Sequence, residues 1–210
     1  MIKQAPIDGP TARRILEQAG REITSDYELA SLLIGRMDKL LVDDATQQAF
    51  VAAARTLESD YEMRRVYSAV LKRGPLTATL GTVVLVGARD LGSDYEAASL
   101  LLDFLKQQGI ERTRDQFFAV VKTVGSAYEK SRVLQALLRR PDVSRETLLA
   151  VLDAAGTIGS GYETSQLLQA AARSHAIDGA ARDAYVKLAE RLGNYEETQA
   201  LAALARNERR

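Results

Sequence analysis

Cysteine is absent from this chain of 210 residues, His175 is its one histidine, and proline occurs only four times. Without cysteine there is no disulfide, and the redox compartment is left open. With one histidine and no thiolate, a zinc site would rest on carboxylates, a poor ligand set for that ion. A Ser-His-Asp constellation would have only His175 to serve it. No phosphate loop of the form G-x-x-x-x-G-K-[ST] or G-x-G-x-x-G occurs. The expectation is a protein without catalytic residues, metal or cofactor. Net charge is missing too: Lys+Arg and Asp+Glu both total 28. That disfavours nucleic acid, whose binders cluster a basic excess on one face, and it disfavours a polybasic membrane anchor. No apolar run approaches the roughly 18 residues that would span a bilayer. The opening Met1-Ile2-Lys3-Gln4-Ala5-Pro6 has no apolar core of the signal-peptide kind.

What the chain has is repetition. Ser25-Asp26-Tyr27-Glu28 recurs as Ser59-Asp60-Tyr61-Glu62 and Ser93-Asp94-Tyr95-Glu96, then weakens to Ser126-Ala127-Tyr128-Glu129, Ser160-Gly161-Tyr162-Glu163 and Asn194-Tyr195-Glu196. The tyrosines are 33 or 34 residues apart, and a fixed period in this range marks a solenoid or array. The fold class expected is all-α, a right-handed α-solenoid of about five and a half two-helix repeats, HEAT- or TPR-like. It would form one domain over 1–210, with a capping half-repeat at 8–24, full repeats at 25–58, 59–92, 93–125, 126–159 and 160–193, and a polar capping helix at 194–210.

Each signature reads as a helix start. Ser and Glu in S-x-x-E form a capping box, in which the serine oxygen accepts a first-turn N–H and the glutamate reaches back to the serine N–H. The aspartate places negative charge at the positive end of the helix dipole. Counting from each tyrosine, positions +5, +6, +9 and +10 are apolar: Val66, Tyr67, Val70 and Leu71, then Leu100, Leu101, Phe104 and Leu105, then Val133, Leu134, Leu137 and Leu138. This is one stripe of an amphipathic helix. A second helix is expected to begin near Asp44, Thr77, Thr113, Ser144 and Asp178, all good N-cap types, with Thr113 and Gln116 forming a further capping box. Gly92, Gly125, Gly159 and Gly193 would end that second helix in the left-handed conformation. Asp8-Gly9-Pro10-Thr11 opens the leading half-repeat, where proline suits a helix start.

The phrases Ser59-Asp60-Tyr61-Glu62 … Arg65-Val66 … Lys72-Arg73-Gly74-Pro75-Leu76 and Ser93-Asp94-Tyr95-Glu96-Ala97-Ala98-Ser99-Leu100-Leu101 resemble a bacterial SDYE-type tandem helical repeat. That repeat is associated with the C-terminal parts of relatives of antirepressor-type membrane-embedded zinc metallopeptidases. The resemblance covers residues 23–206. The peptidase motif H-E-x-x-H is absent, so the resemblance implies a non-catalytic accessory region of a larger bacterial protein. The chain would be soluble, cytoplasmic by default or periplasmic if it belongs to a membrane protein.

Several features could carry a partner. The glutamates Glu28, Glu62, Glu96, Glu129, Glu163 and Glu196 would form an acidic column for a basic partner or a divalent cation, although capping alone accounts for their spacing. The tyrosines Tyr27, Tyr61, Tyr95, Tyr128, Tyr162 and Tyr195 could stack against a ligand, but an aromatic recurring at one place in a repeat is more often core, and packing between consecutive helices is the expectation. Arg64, Arg65 and Arg132 are expected to be exposed, either as carboxylate or phosphate readers or as plain surface charge. His175 should lie in a solvent-facing loop. Position +2 runs Leu29, Met63, Ala97, Lys130, Thr164, Glu197; its apolar start, with Val83-Val84-Leu85-Val86, suggests an exposed apolar patch or a thicker core. The function expected is a protein- or peptide-binding scaffold using the Leu29–Met63–Ala97 side with Arg64, Arg65 and Arg132. The alternatives are a spacer or self-associating module, a possible homodimer, and a nucleic-acid-binding solenoid using Lys72, Lys106, Arg139 and Arg173.

Overall fold

The computed structural model describes residues 7–74 and 76–208. The opening Met1-Ile2-Lys3-Gln4-Ala5-Pro6, Pro75 of the Gly74-Pro75 break and the terminal Arg209-Arg210 lie outside the described residues. Among the described residues there are twelve α-helices and no strand. The signature-bearing first helices are α2 (Asp26–Leu40), α4 (Asp60–Leu71), α6 (Asp94–Gln107), α8 (Ala127–Leu138), α10 (Gly161–Ser174) and α12 (Asn194–Asn207). The second helices are α1 (Gly9–Glu22), α3 (Asp44–Ala54), α5 (Ala78–Asp90), α7 (Arg114–Thr123), α9 (Arg145–Ala155) and α11 (Gly179–Ala189). None is long and apolar enough to cross a membrane.

Contacts gather into two compact units, Met1–Gln108 and Gly109–Arg210. Each is an all-α helical-repeat solenoid. In the N-terminal unit α2 packs on α4 and α4 on α6, while α1 packs on α3 and α3 on α5. In the C-terminal unit α8 packs on α10 and α10 on α12, while α7 packs on α9 and α9 on α11. Within each unit successive first helices run parallel, as bonds at both ends of α10 and α12 illustrate. Ser165 Oγ in the first turn of α10 donates to the Glu196 carbonyl in the first turn of α12 at 2.9 Å, and Asn207 Nδ2 at the far end of α12 donates to the Ala172 carbonyl at 2.7 Å.

The apolar stripe is the core. Val66, Val70 and Leu71, with their counterparts Leu100, Leu101, Phe104 and Leu105 and Val133, Leu134, Leu137 and Leu138, are buried. The second helices answer with Phe50, Val84, Leu85, Phe117, Phe118, Val151 and Leu152. Each such side chain contributes about 1.5–3 kcal/mol on leaving water. Three residues after each apolar pair come Ala54, Ala88, Val121, Ala155 and Ala189, all buried. Two further tyrosines belong to this interior, Tyr67 and Tyr185. The Tyr67 ring lies where a Cβ on Gly87 would stand, 2.3 Å from its carbons, so only glycine fits beneath it. Its hydroxyl is buried without a hydrogen-bond partner, whereas Tyr185 Oη donates to the Ala200 carbonyl at 2.8 Å.

Most helix starts follow the local expectation. Asp8 accepts from the Thr11 N–H at 2.8 Å, and Thr77 and Ser144 cap α5 and α9 through their side chains. The cap of α3 is Asp43, one residue before the expected Asp44, and with Thr46 it forms a reciprocal capping box. Thr113 is the N-cap of α7 but makes no side-chain cap bond; its hydroxyl is buried and unpartnered, so the expected Thr113–Gln116 box is not formed. The glycines after the second helices also depart from expectation. Gly92, Gly125, Gly159 and Gly193 all lie outside the left-handed region, which only Gly74 (φ 112°) and Gly179 (φ 47°) enter among the described residues. The chain there enters the next first helix in extended conformation, as the φ of −67° and ψ of 158° at Gly193, the N-cap of α12, illustrate.

Candidate binding edge

The first turns of the first helices carry the repeated chemistry. Ser25, Ser59, Ser93, Ser126 and Ser160 each accept the N–H of the glutamate three residues on, at 3.3–3.4 Å. The returning half of the capping box is absent from these helices. Its donor is already used in the N-terminal unit. The Ser59 N–H donates to Asp26 Oδ2 at 2.6 Å and the Ser93 N–H to Asp60 Oδ2 at 2.7 Å, while the Glu58 and Gly92 N–H groups also reach these carboxylates at 3.1 Å. The signature aspartate thus staples its own helix to the start of the next first helix, a role beyond favouring the dipole.

Released from capping, the glutamates turn to arginines. Arg65 pairs with Glu62, Arg64 with Glu96, and Arg132 with Glu129 at 3.0 Å. Glu62 and Glu129 are buried, so they do not form an open acidic column. The three arginines are half-buried in these pairs rather than exposed, because each closes over a carboxylate one turn or one repeat away. In the C-terminal unit the carboxylates of Glu163 and Glu196 are half-buried and have no ion-pair or hydrogen-bond partner among the described residues.

The tyrosines overturn the packing expectation. All six stand out from their helices, from 51% exposed at Tyr61 to 72% at Tyr195. The reason is helical phase. At about 100° per residue, positions +2, +5, +6, +9 and +10 centre roughly 200° from the tyrosine, on the opposite side of the helix. The same phase buries the residues expected to meet a partner: Leu29, Met63 and Ala97 are core. Two of the three polar residues at position +2, Lys130 and Thr164, still point inward. Lys130 is buried, its Nζ donating to the Thr157 carbonyl at 3.0 Å, and Thr164 is buried with its hydroxyl on the Ser160 carbonyl at 2.8 Å. Of the apolar run on α5, Val84 and Leu85 are buried, Val83 is half-buried and only Val86 is exposed, which leaves no apolar patch there.

Position +4, at about 40°, shares the tyrosine face. In α4 it is Arg65, whose guanidinium carbon lies 5.8 Å from the Tyr27 ring centroid and 5.9 Å from that of Tyr61. Arg64 lies 5.4 Å from the Tyr61 ring. These are cation–π distances. The corresponding residues of α10 and α12 are Gln166 and Gln199.

The opposite ends of the first helices are tied by amides that sequence reading missed. Gln108 Nε2 donates to the Gly74 carbonyl at 2.9 Å and its Oε1 accepts the Leu76 N–H at 3.0 Å. Asn207 does the same for the loop after α10, donating to the Ala172 and His175 carbonyls at 2.7 Å and accepting the Ile177 N–H at 3.1 Å. His175 is half-buried, its Nε2 2.9 Å from the Leu138 carbonyl, so it belongs to a helix–helix joint and not to a free loop. The cations Lys72, Lys106, Arg139 and Arg173 are exposed near the ends of first helices, two in each unit. Among the described residues no group of three or more His, Cys, Asp or Glu side chains is placed to hold a metal. Comparison with known protein families, with curated proteins and with solved structures found no match.

Proposed function

We propose that this chain is a non-enzymatic scaffold that binds a protein or peptide segment along the tyrosine edges of its first helices. One observation carries the reading. The serine of the signature is used as a cap and Asp26 and Asp60 are used as staples, but the phenol rings stand 51–72% exposed. A large amphipathic ring presented at the same place on successive helices is the kind of anchor that dominates protein interfaces. The resemblance of the repeat to the bacterial SDYE type supports an accessory module within a larger bacterial protein.

The test is capture from a lysate of the source organism with the purified wild-type chain and with Tyr128→Ala/Tyr162→Ala/Tyr195→Ala. A saturable partner held by the wild type and lost by the triple variant, with both melting alike, is the expected result. A partner retained equally by the variant overturns the placement. A concentration-dependent dimer that only the wild type forms would make a second copy the occupant.

A further inference from the structure

We infer that the tyrosine edge of the C-terminal unit recognises arginine side chains of a partner segment, each guanidinium entering between successive signature tyrosines and pairing with the signature glutamate beside it. This rests on the tyrosine edge being the binding surface.

The chain supplies its own example of the occupant. Between Tyr27 and Tyr61 the place is filled by Arg65, which lies within cation–π distance of both rings and pairs with Glu62 three residues before it. On α8 the same position is Arg132, paired with Glu129, but α10 and α12 repeat the surroundings without the arginine. By the same helical phase on the side-by-side helices α8, α10 and α12, position 166 falls between Tyr128 and Tyr162 and position 199 between Tyr162 and Tyr195; both positions carry glutamine. Glu163 and Glu196 stand three residues before these glutamines, as Glu62 stands before Arg65. Their carboxylates are without a partner among the described residues, and the three tyrosines are 60–72% exposed. An arginine offers both halves of the match at once, a planar face for the rings and a fork for the carboxylate. Lysine offers only the charge.

Charge is arranged to suit. Because α8, α10 and α12 run parallel, Glu163, Glu196 and Glu197 gather at the tyrosine end, while Arg139, Arg173 and Arg206 gather at the other. An arginine-bearing segment is drawn to the first end and repelled by the second. Spacing narrows the partner further. Packed helices stand about 8–10 Å apart, and a polyproline II strand presents every third residue on one face at intervals of about 9 Å. The segment that fits carries arginine at every third position in that conformation.

The probe is a fluorescein-labelled peptide of Arg-Pro-Ser triplets, titrated by anisotropy against the full chain. Controls are Lys-Pro-Ser triplets and a peptide with arginine at every fourth position. The expected order is triplet arginine tightest. Tyr162→Ala should weaken it about two- to fivefold, the scale of an exposed cation–π contact, and Glu163→Gln should add to that. Gln166→Arg should weaken it similarly, because the new guanidinium would fill the place as Arg65 does. All three positions are at or near the surface, and unchanged melting confirms that folding is intact. Equal binding of arginine and lysine peptides, indifference to Tyr162→Ala and Gln166→Arg, or no binding of the arginine peptide would each overturn the inference. Tyrosine-dependent capture of a lysate partner alongside a non-binding arginine peptide would leave the edge as the interface and remove only its arginine specificity.

Discussion

Replacing Asp60 by alanine tests how the repeats are joined. Asp60 accepts two backbone N–H groups at the junction with the following repeat, Ser93 at 2.7 Å and Gly92 at 3.1 Å. A hydrogen bond to a charged group is worth about 1.5–3 kcal/mol net. Gly92 is exposed, so water replaces much of its bond; Ser93 is half-buried and its donor loses more. With the dipole contribution included, Asp60→Ala should cost about 2–3 kcal/mol. A residue acting through the dipole alone would cost about 0.3–1 kcal/mol. Asp44→Ala calibrates that smaller effect, since Asp44 is an exposed acid in the first turn of α3 with no bond to another repeat. Asp60→Asn keeps an acceptor for one of the two donors and should fall between. Urea unfolding with linear extrapolation measures all three, and an unchanged slope keeps the comparison to stability alone. Equal losses for Asp60→Ala and Asp44→Ala would refute the staple, and so would an Asp60→Asn variant as stable as wild type.

Other expectations follow from the interior. Tyr67→Phe removes a buried hydroxyl without a partner and should be neutral or stabilising, while Tyr185→Phe removes the bond to Ala200 and should cost about 1 kcal/mol; thermal melting ranks the two. Burial raises both phenols above the ordinary tyrosine value of 10.0. The unfolded chain therefore releases these protons first, so this part of the stability is complete below about pH 10 and falls as the pH rises further. The alkaline loss, followed by circular dichroism, should shrink in Tyr67→Phe/Tyr185→Phe. Gly87→Ala drives a methyl into the Tyr67 ring and should cost about 1–3 kcal/mol by urea unfolding, with recovery when Tyr67→Leu is added. Thr113→Val should leave stability unchanged or raised, whereas Ser144→Ala should cost about 1 kcal/mol, because only Ser144 accepts a cap bond.

Much of this architecture was legible in the order of residues because it depends on short-range physics. The period of the signature tyrosines states the repeat, and the stripes at +5, +6, +9 and +10 state which face is buried. Ser25, Ser59, Ser93, Ser126 and Ser160 cap their helices by a bond spanning three residues, which any chain reader can place. Even the exposure of the tyrosines was written in the helical phase, since the stripe lies opposite them; weighing aromatic residues as core material obscured it, and the same oversight put Leu29, Met63 and Ala97 on the surface. What only the tertiary structure decided are the partners one repeat away. Asp26 and Asp60 find N–H groups some 32 or 33 residues on, Arg64 finds Glu96, and Gln108 and Asn207 clamp the preceding loop. These pairings depend on how far one helix pair is displaced over the next, a quantity that the packing of whole side chains sets. Local periodicity names the face each residue occupies, and the stacking of repeats chooses whom it meets there.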